Sequence, residues 1–212
     1  MAIQVGPHHR KKEQGGSGVL LGGVTGIAAT RVLIIGGDVP GINEVRMAMV
    51  MEAKVAVLDR SLGRFAELDM PFVGQVNVLL STVDAIVFHV IDAGLVVGAV
   101  LVPVAAAPKL VIEDIVRTMR PGSVMFDIAI DQGSCFETSK PTSHDAPNYK
   151  VHDVVHYCDT NIPAAVSPTS TFALNNATLP FTLAIAEQGY REALLMDPHL
   201  CMGLHMHRSA MT

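Results

Sequence analysis

Residues 31–59 read RVLIIGGDVPGINEVRMAMVMEAKVAVLD. A short apolar run, Val32 to Ile35, enters a turn carrying Gly36, Gly37 and Gly41; a helical pattern follows, and a second apolar run ends on Asp59. The order is strand, turn, helix, strand. In a dinucleotide-binding unit of this order the glycines let the backbone approach a pyrophosphate at the helix N-terminus, and an acid about 20 residues further on bonds the adenosine ribose. Asp59 is that acid. The turn departs from G-x-G-x-x-G, because Gly36-Gly37-Asp38-Val39-Pro40-Gly41 has aspartate at the middle glycine. A glycine turn alone also fits an ordinary strand-to-helix connection; the flanking strands and the terminal acid favour nucleotide-type architecture.

The rest of the chain extends this unit. With 212 residues there is length for one sizeable α/β domain and too little for two large ones. Half of the residues are apolar and 17% are charged, which suits strands buried on both faces. A formal net charge of -5 and a pI near 5.9 give no reason to expect a nucleic-acid partner. Three scattered cysteines, Cys135, Cys158 and Cys201, form no CxxC pair and leave an odd thiol, so a reducing, cytoplasmic setting is expected. The start, MAIQVGPHHRKK, does not read as a secretory signal. The longest apolar run, Gly94 to Pro108, is broken by Gly98 and Pro103 and falls short of the roughly 20 residues that cross a bilayer; no membrane span is expected.

Residues 1–30 read as a leading helix ending at Gly15-Gly16 and a glycine-rich hairpin or linker without the Lys-Ser/Thr ending of a P-loop. Residues 31–165 read as a Rossmann-like, doubly wound parallel sheet. Helices are expected over Ser61–Leu68, Val83–Val90 and Lys109–Met119, and strands over Val76–Leu80, Leu95–Leu101, Ser123–Ile130 and Val154–Cys158. Glu137–Lys150 reads as a surface loop. Residues 166–212 read as a helical segment, its helix over Pro168–Gln188 kinked or interrupted at Pro180 and another over Tyr190–Leu195. Asp131 follows a predicted strand directly, where ligands of open α/β sheets bind, although an ordinary turn aspartate before Gln132-Gly133 fits the position too. His205 and His207 are not spaced as metal ligands, and no metal site is expected.

Several segments are more distinctive. LLGGV with GIA, VAVLDRS, GAVLVP followed by APKL, MRPGSV, AIDQG, ETSKPTSHD, VHYC, NIPAAV and STFALNNATLP, in this order, resemble the C-terminal portion of bacterial alanine dehydrogenases over nearly the whole chain. The related proton-translocating transhydrogenases share the nucleotide fold, but their membrane helices have no counterpart in this sequence. The resemblance implies NAD as cofactor, L-alanine and pyruvate as small-molecule substrates, and a homo-oligomer. It implies that Gly36, Gly37, Val39 and Gly41 form the pyrophosphate turn, that Asp59 holds the adenosine ribose, and that Arg64 and Ser81 flank the adenosine half. Val100, Leu101 and Ile128 would line the path to the nicotinamide. Asp131 matches the family's active-site aspartate, and Asn161 and Ile162 match a loop facing cofactor and substrate.

Three departures stand beside the resemblance. The cationic and proton-carrying residues that grip the substrate in this family lie in an N-terminal region preceding the part matched here. Glu52 stands where the family usually has glycine. Asp38 brings a negative charge to the pyrophosphate turn; at about 4 Å and an effective dielectric of about 20 this costs on the order of 4 kcal/mol, roughly a thousandfold in affinity, unless the carboxylate turns outward. The alternative expectation is therefore a non-catalytic, degenerate Rossmann module kept for binding or assembly.

Overall fold

In the computed structural model, which describes residues 1–61, 63, 64, 72, 74–101, 108–207, 210 and 211, strand β1 (Arg31–Ile35) sends alternate side chains to opposite faces. Val32 and Ile34 join one apolar cluster, Leu33 and Ile35 another, and all four are buried. A strand buried on both faces requires a covering layer on each side. Helices α1 (Ala2–His9) and α2 (Val39–Val50) supply one layer, bringing Ile3, Val45 and Ala48 against Val32 and Ile34. Helices α3 (Val83–Asp92) and α4 (Glu113–Arg117) supply the other through Ile86, Val90 and Val116. The leading helix is tied down by Glu44 of α2, a buried carboxylate that accepts the amides of Ala2 at 3.1 Å and Ile3 at 2.8 Å.

The remaining strands of the main sheet are β2 (Lys54–Asp59), β3 (Asn77–Leu80), β4 (Leu95–Gly98), β5 (Val124–Asp127), β6 (Asn148–Val151) and β7 (Val154–Tyr157). Their order is β3-β2-β1-β4-β5-β7-β6. All neighbours pair in parallel except β6 with β7. The chain winds outward from β1 through β2 to β3, then returns to β4 on the other side of β1. The reversal leaves a crevice at the carboxyl ends of β1 and β4, where ligands of such sheets bind. This is the Rossmann-like, doubly wound architecture read from the sequence.

The chain divides into two units, Met1–Ile162 and Pro163–Thr212. In the second, α5 (Ser167–Gln188) runs through Pro180. Thr178 and Thr182 hydroxyls donate to the carbonyls four residues back, at 2.9 and 3.1 Å, and the chain stays helical through Pro180 without the interruption that the sequence allowed. Helices α6 (Tyr190–Met196) and α7 (Pro198–Met202) follow, and β8 (Met206–His207) pairs with β9 (Ala210–Met211). No described helix is long and apolar enough to cross a membrane.

Several local expectations need correction. The helix expected over Lys109–Met119 is confined to Glu113–Arg117, because the Leu110 and Val111 amides are committed to the Cys135 carbonyl and Val111 forms a parallel bridge with Phe136. The strand expected over Ser123–Ile130 stops at Asp127, since the chain bends into a 3-10 turn at Ile130–Gln132. The one over Leu95–Leu101 stops at Gly98. The loop expected over Glu137–Lys150 ends inside β6, an antiparallel edge strand stitched to β7. Residues 15–29 contain a tight antiparallel bridge between Val24 and Ile27, the hairpin of the two readings. Most of the helix expected over Ser61–Leu68 lies outside the described residues.

Glu52 has φ +58, a left-handed conformation that strains a residue carrying a β-carbon and suits glycine. Glu52→Gly should therefore stabilise the chain by roughly 0.5–1.5 kcal/mol, the relief of strain being partly offset by greater freedom of the unfolded glycine. Urea unfolding of both proteins measures this, and an unchanged or lower midpoint contradicts it.

Candidate functional site

The crevice between β1 and β4 is built from backbone that comes too close for side chains. Gly36 has φ +104, and a β-carbon on it would lie 2.6 Å from the Ala99 carbonyl oxygen. A β-carbon on Gly41 would lie 2.0 Å from the Gly36 carbonyl oxygen. These two positions exclude every residue but glycine, and they press the first turn of α2 against the end of β1. Asp38 is the N-cap residue of α2 but makes no side-chain cap. Its carbonyl accepts the Ile42 amide at 2.9 Å, while the amides of Asp38, Val39 and Gly41 find no acceptor among the described residues. Unpaired amides at a helix N-terminus, together with the helix dipole, form a place for an anion. Pro40 contributes no amide there.

Asp59 ends β2 beside this turn. Its Oδ2 accepts the Gly37 amide at 2.6 Å and its Oδ1 accepts the Ser61 amide at 2.7 Å. The acid thus braces the glycine turn from across the sheet as well as facing the crevice. Gly36, Asp59, Ser81, Val100 and Leu101 line one cleft of about 200 Å³, joined by Asp38. The Asp38 carboxylate receives Arg64 Nη2 at 2.9 Å. The uncompensated charge expected from the sequence is thus corrected: a guanidinium 26 residues further along the chain neutralises it, so the thousandfold penalty is an overestimate. The other predicted residues lie outside this cleft. Val39 is exposed on the first turn of α2, Ile128 is half-buried against the core, and Ile162 is buried.

Asp131 is exposed on the 3-10 turn after β5. Beneath it lies a carboxylate that sequence reading passed over. Asp127 is fully buried, accepts the Ala129 amide at 3.1 Å, and takes a short hydrogen bond from the Ser134 hydroxyl. Burial pushes its carboxyl above the ordinary range, against the opposing pull of Ser134 and the Ala129 amide. Lys109 closes the same turn by donating to the carbonyls of Gly133, Ser134 and Phe136 at 2.7, 3.2 and 3.2 Å. Asn161 is likewise held from below: its amide donates to Asp159 Oδ1 at 2.7 Å, and its carbonyl accepts from His144 Nε2 at 2.9 Å. His144 Nδ1 stands 2.9 Å from Asp159 Oδ2 without hydrogen-bond alignment. The only sequence signal for these supports was an acid inside an apolar strand, FDIAID, and the histidine of the SHD loop.

Comparison with known proteins gives the arrangement its context. Residues 2–212 match the family described as alanine dehydrogenase/PNT, C-terminal domain. The chain is 52% identical over 212 residues to an alanine dehydrogenase of Halomonas elongata and 46% identical over 211 residues to one of Mycobacterium tuberculosis. Each alignment covers 100% of this chain and 57% of the relative, so the chain spans little more than half the length of the curated relatives it matches. A solved L-alanine dehydrogenase superposes with a TM-score of 0.94 at 43% identity, covering 100% of this chain and 58% of that one. A transhydrogenase structure from Sinorhizobium meliloti, at 19% identity and a TM-score of 0.61 over 68% of this chain and 41% of that one, shares the fold.

Asp127 yields a pH prediction. A carboxyl whose pKa is higher in the folded than in the unfolded chain adds stability below its ordinary value of 3.8, and that increment is lost as pH rises through the folded value. Asp127→Asn keeps an acceptor for Ala129 and a polar partner for Ser134 but does not titrate. The stability of the variant relative to the parent should therefore rise with pH across the acidic range. Urea unfolding at a series of pH values reads the difference, and a constant gap contradicts the assignment.

Proposed function

We propose that this chain, which belongs to the alanine dehydrogenase/PNT C-terminal domain family, supplies the NAD-binding part of an oxidoreductase that interconverts L-alanine with pyruvate and ammonia. The observation that carries this reading is the turn between β1 and α2, with its three unpaired amides, two obligatory glycines and a bracing acid. Gly36, Gly37, Val39 and Gly41 take the pyrophosphate. Asp59 takes the adenosine ribose and disfavours NADP, whose 2′-phosphate it would repel. Arg64 and Ser81 flank the adenosine half, and Val100, Leu101 and Ile128 border the nicotinamide. When bound, NAD supplies the hydride acceptor for the α-carbon of the amino acid.

Asp131, Asn161 and Ile162 stand on the substrate side in this reading. Asp131 is the active-site aspartate and Asn161 contacts substrate; Lys109 and Asp127 fix the turn that carries Asp131, and Asp159 with His144 fixes the backbone of Asn161. A substrate carboxylate also needs a cation, and proton transfer needs a group poised near neutrality. We place both in the part of the relatives' length that this chain does not span. The second reading, a non-catalytic Rossmann module, rests on Asp38 and on the substrate-gripping cations not matched in this chain; the ion pair with Arg64 weakens the first of these grounds.

Calorimetric titration of NAD into the folded chain should give saturable binding in the micromolar range; its absence leaves the non-catalytic reading. Because the Asp38–Arg64 pair is partly exposed, its charge is worth about 1 kcal/mol, so Asp38→Gly should tighten NAD binding by roughly five- to tenfold. Arg64→Ala should weaken binding more in the parent than in the Asp38→Gly background. Supplying the N-terminal part of a relative should give alanine-dependent NAD reduction, and silence from a folded complex that binds NAD would remove the enzymatic reading.

A further inference from the structure

A second charged site lies at the opposite edge of the sheet, where the strands begin. Arg10 follows α1 and is only 4% exposed, yet its Nε and Nη1 have no hydrogen-bond partner. Its Nη2 reaches the Ser17 hydroxyl at 3.3 Å. Gly94, just before β4, lies so close that a β-carbon there would fall 2.3 Å from Nη1. Arg10 lines a cavity of about 410 Å³ together with Arg31 at the start of β1, Lys54 at the start of β2, and Arg120. The one carboxylate in this wall, Asp92, is already shared by Arg31 and Arg120, each at 2.5 Å. Lys54 has no ion-pair partner among the described residues. Burial lowers the Arg10 pKa to about 10, so the guanidinium remains charged at neutral pH.

Four cations facing one carboxylate are out of keeping with a chain whose net charge is -5. A buried guanidinium with unmade hydrogen bonds is costly unless an acceptor completes it. We propose that this cavity binds a phosphate-class dianion, either inorganic phosphate or a phosphomonoester, held by Arg10 and Lys54 with Arg31 and Arg120 at its rim. Asp92 offsets one of the four positive charges and touches only Arg31 and Arg120; a dianion offsets two of the three that remain, and its several oxygens suit the planar donor fork of an arginine. The cavity shares no lining residue with the cleft at the carboxyl edge and is a separate site from that of the proposed cofactor.

The test titrates inorganic phosphate, and separately ribose 5-phosphate, into the purified chain at ionic strength held constant with chloride. Thermal unfolding and amide chemical shifts are followed together. Saturable stabilisation is expected, with shift changes centred on Gly94 and Ser123. Lys54→Ala, a surface change that leaves the core intact, should weaken the apparent affinity about tenfold, and Arg10→Leu should abolish saturation. Tighter binding of ribose 5-phosphate assigns an ester; equal binding assigns the free ion. Phosphate that stabilises no more than chloride, saturation that survives in both variants, or shifts confined to Gly36–Gly41 would each overturn the proposal.

Discussion

Three stretches of backbone meet at the end of β1 with no room for a β-carbon between them. Gly36 touches Ala99 across the switch point, and Gly41 touches Gly36 from the first turn of α2. The contact sets how closely α2 approaches the sheet, and therefore where its unpaired amides lie. The Asp59 carboxylate fixes the same turn from β2 through the Gly37 amide. Because these are backbone constraints, they tolerate changes in side chains nearby but no change at the two glycines.

That tolerance explains how the turn accommodates Asp38. A carboxylate at this position opposes any bound phosphate, yet it sits partly in solvent and is paired with Arg64. The pair removes most of the net charge without altering the backbone. Screening by water lowers the energy of the pair and of the repulsion alike, so the substitution modulates an anion site without dismantling its geometry.

Elsewhere the fold is held by buried polar groups serving backbone. Glu44 receives the first amides of α1, Asp127 and Lys109 clamp the turn that presents Asp131, and Asp159 receives the amide of Asn161. Each fixes a segment by side-chain hydrogen bonds to its backbone, and the last two give the loops after β5 and β7 defined positions on the sheet. At the amino edge the opposite holds: Arg10 is buried without enough acceptors.

The strand–turn–helix–strand order, the two-sided burial of β1 and the place of Asp59 at the end of β2 were legible in the sequence, because they depend on residues near one another in the chain or on runs of apolar residues; that Asp59 also braces the glycine turn was not. Glu52 stood out only as a departure from the family's usual glycine; its left-handed backbone came from the structure. The pairing of Asp38 with Arg64, the truncation of the helix before Glu113 by a bridge to Phe136, the edge strand β6, and the gathering of Arg10, Arg31, Lys54 and Arg120 around one cavity were settled only by tertiary structure. Periodicity reports which way a side chain faces from its own element. It carries no record of which distant charge or carbonyl will lie opposite, and that is fixed only when the sheet brings segments far apart in sequence to within a hydrogen bond of one another.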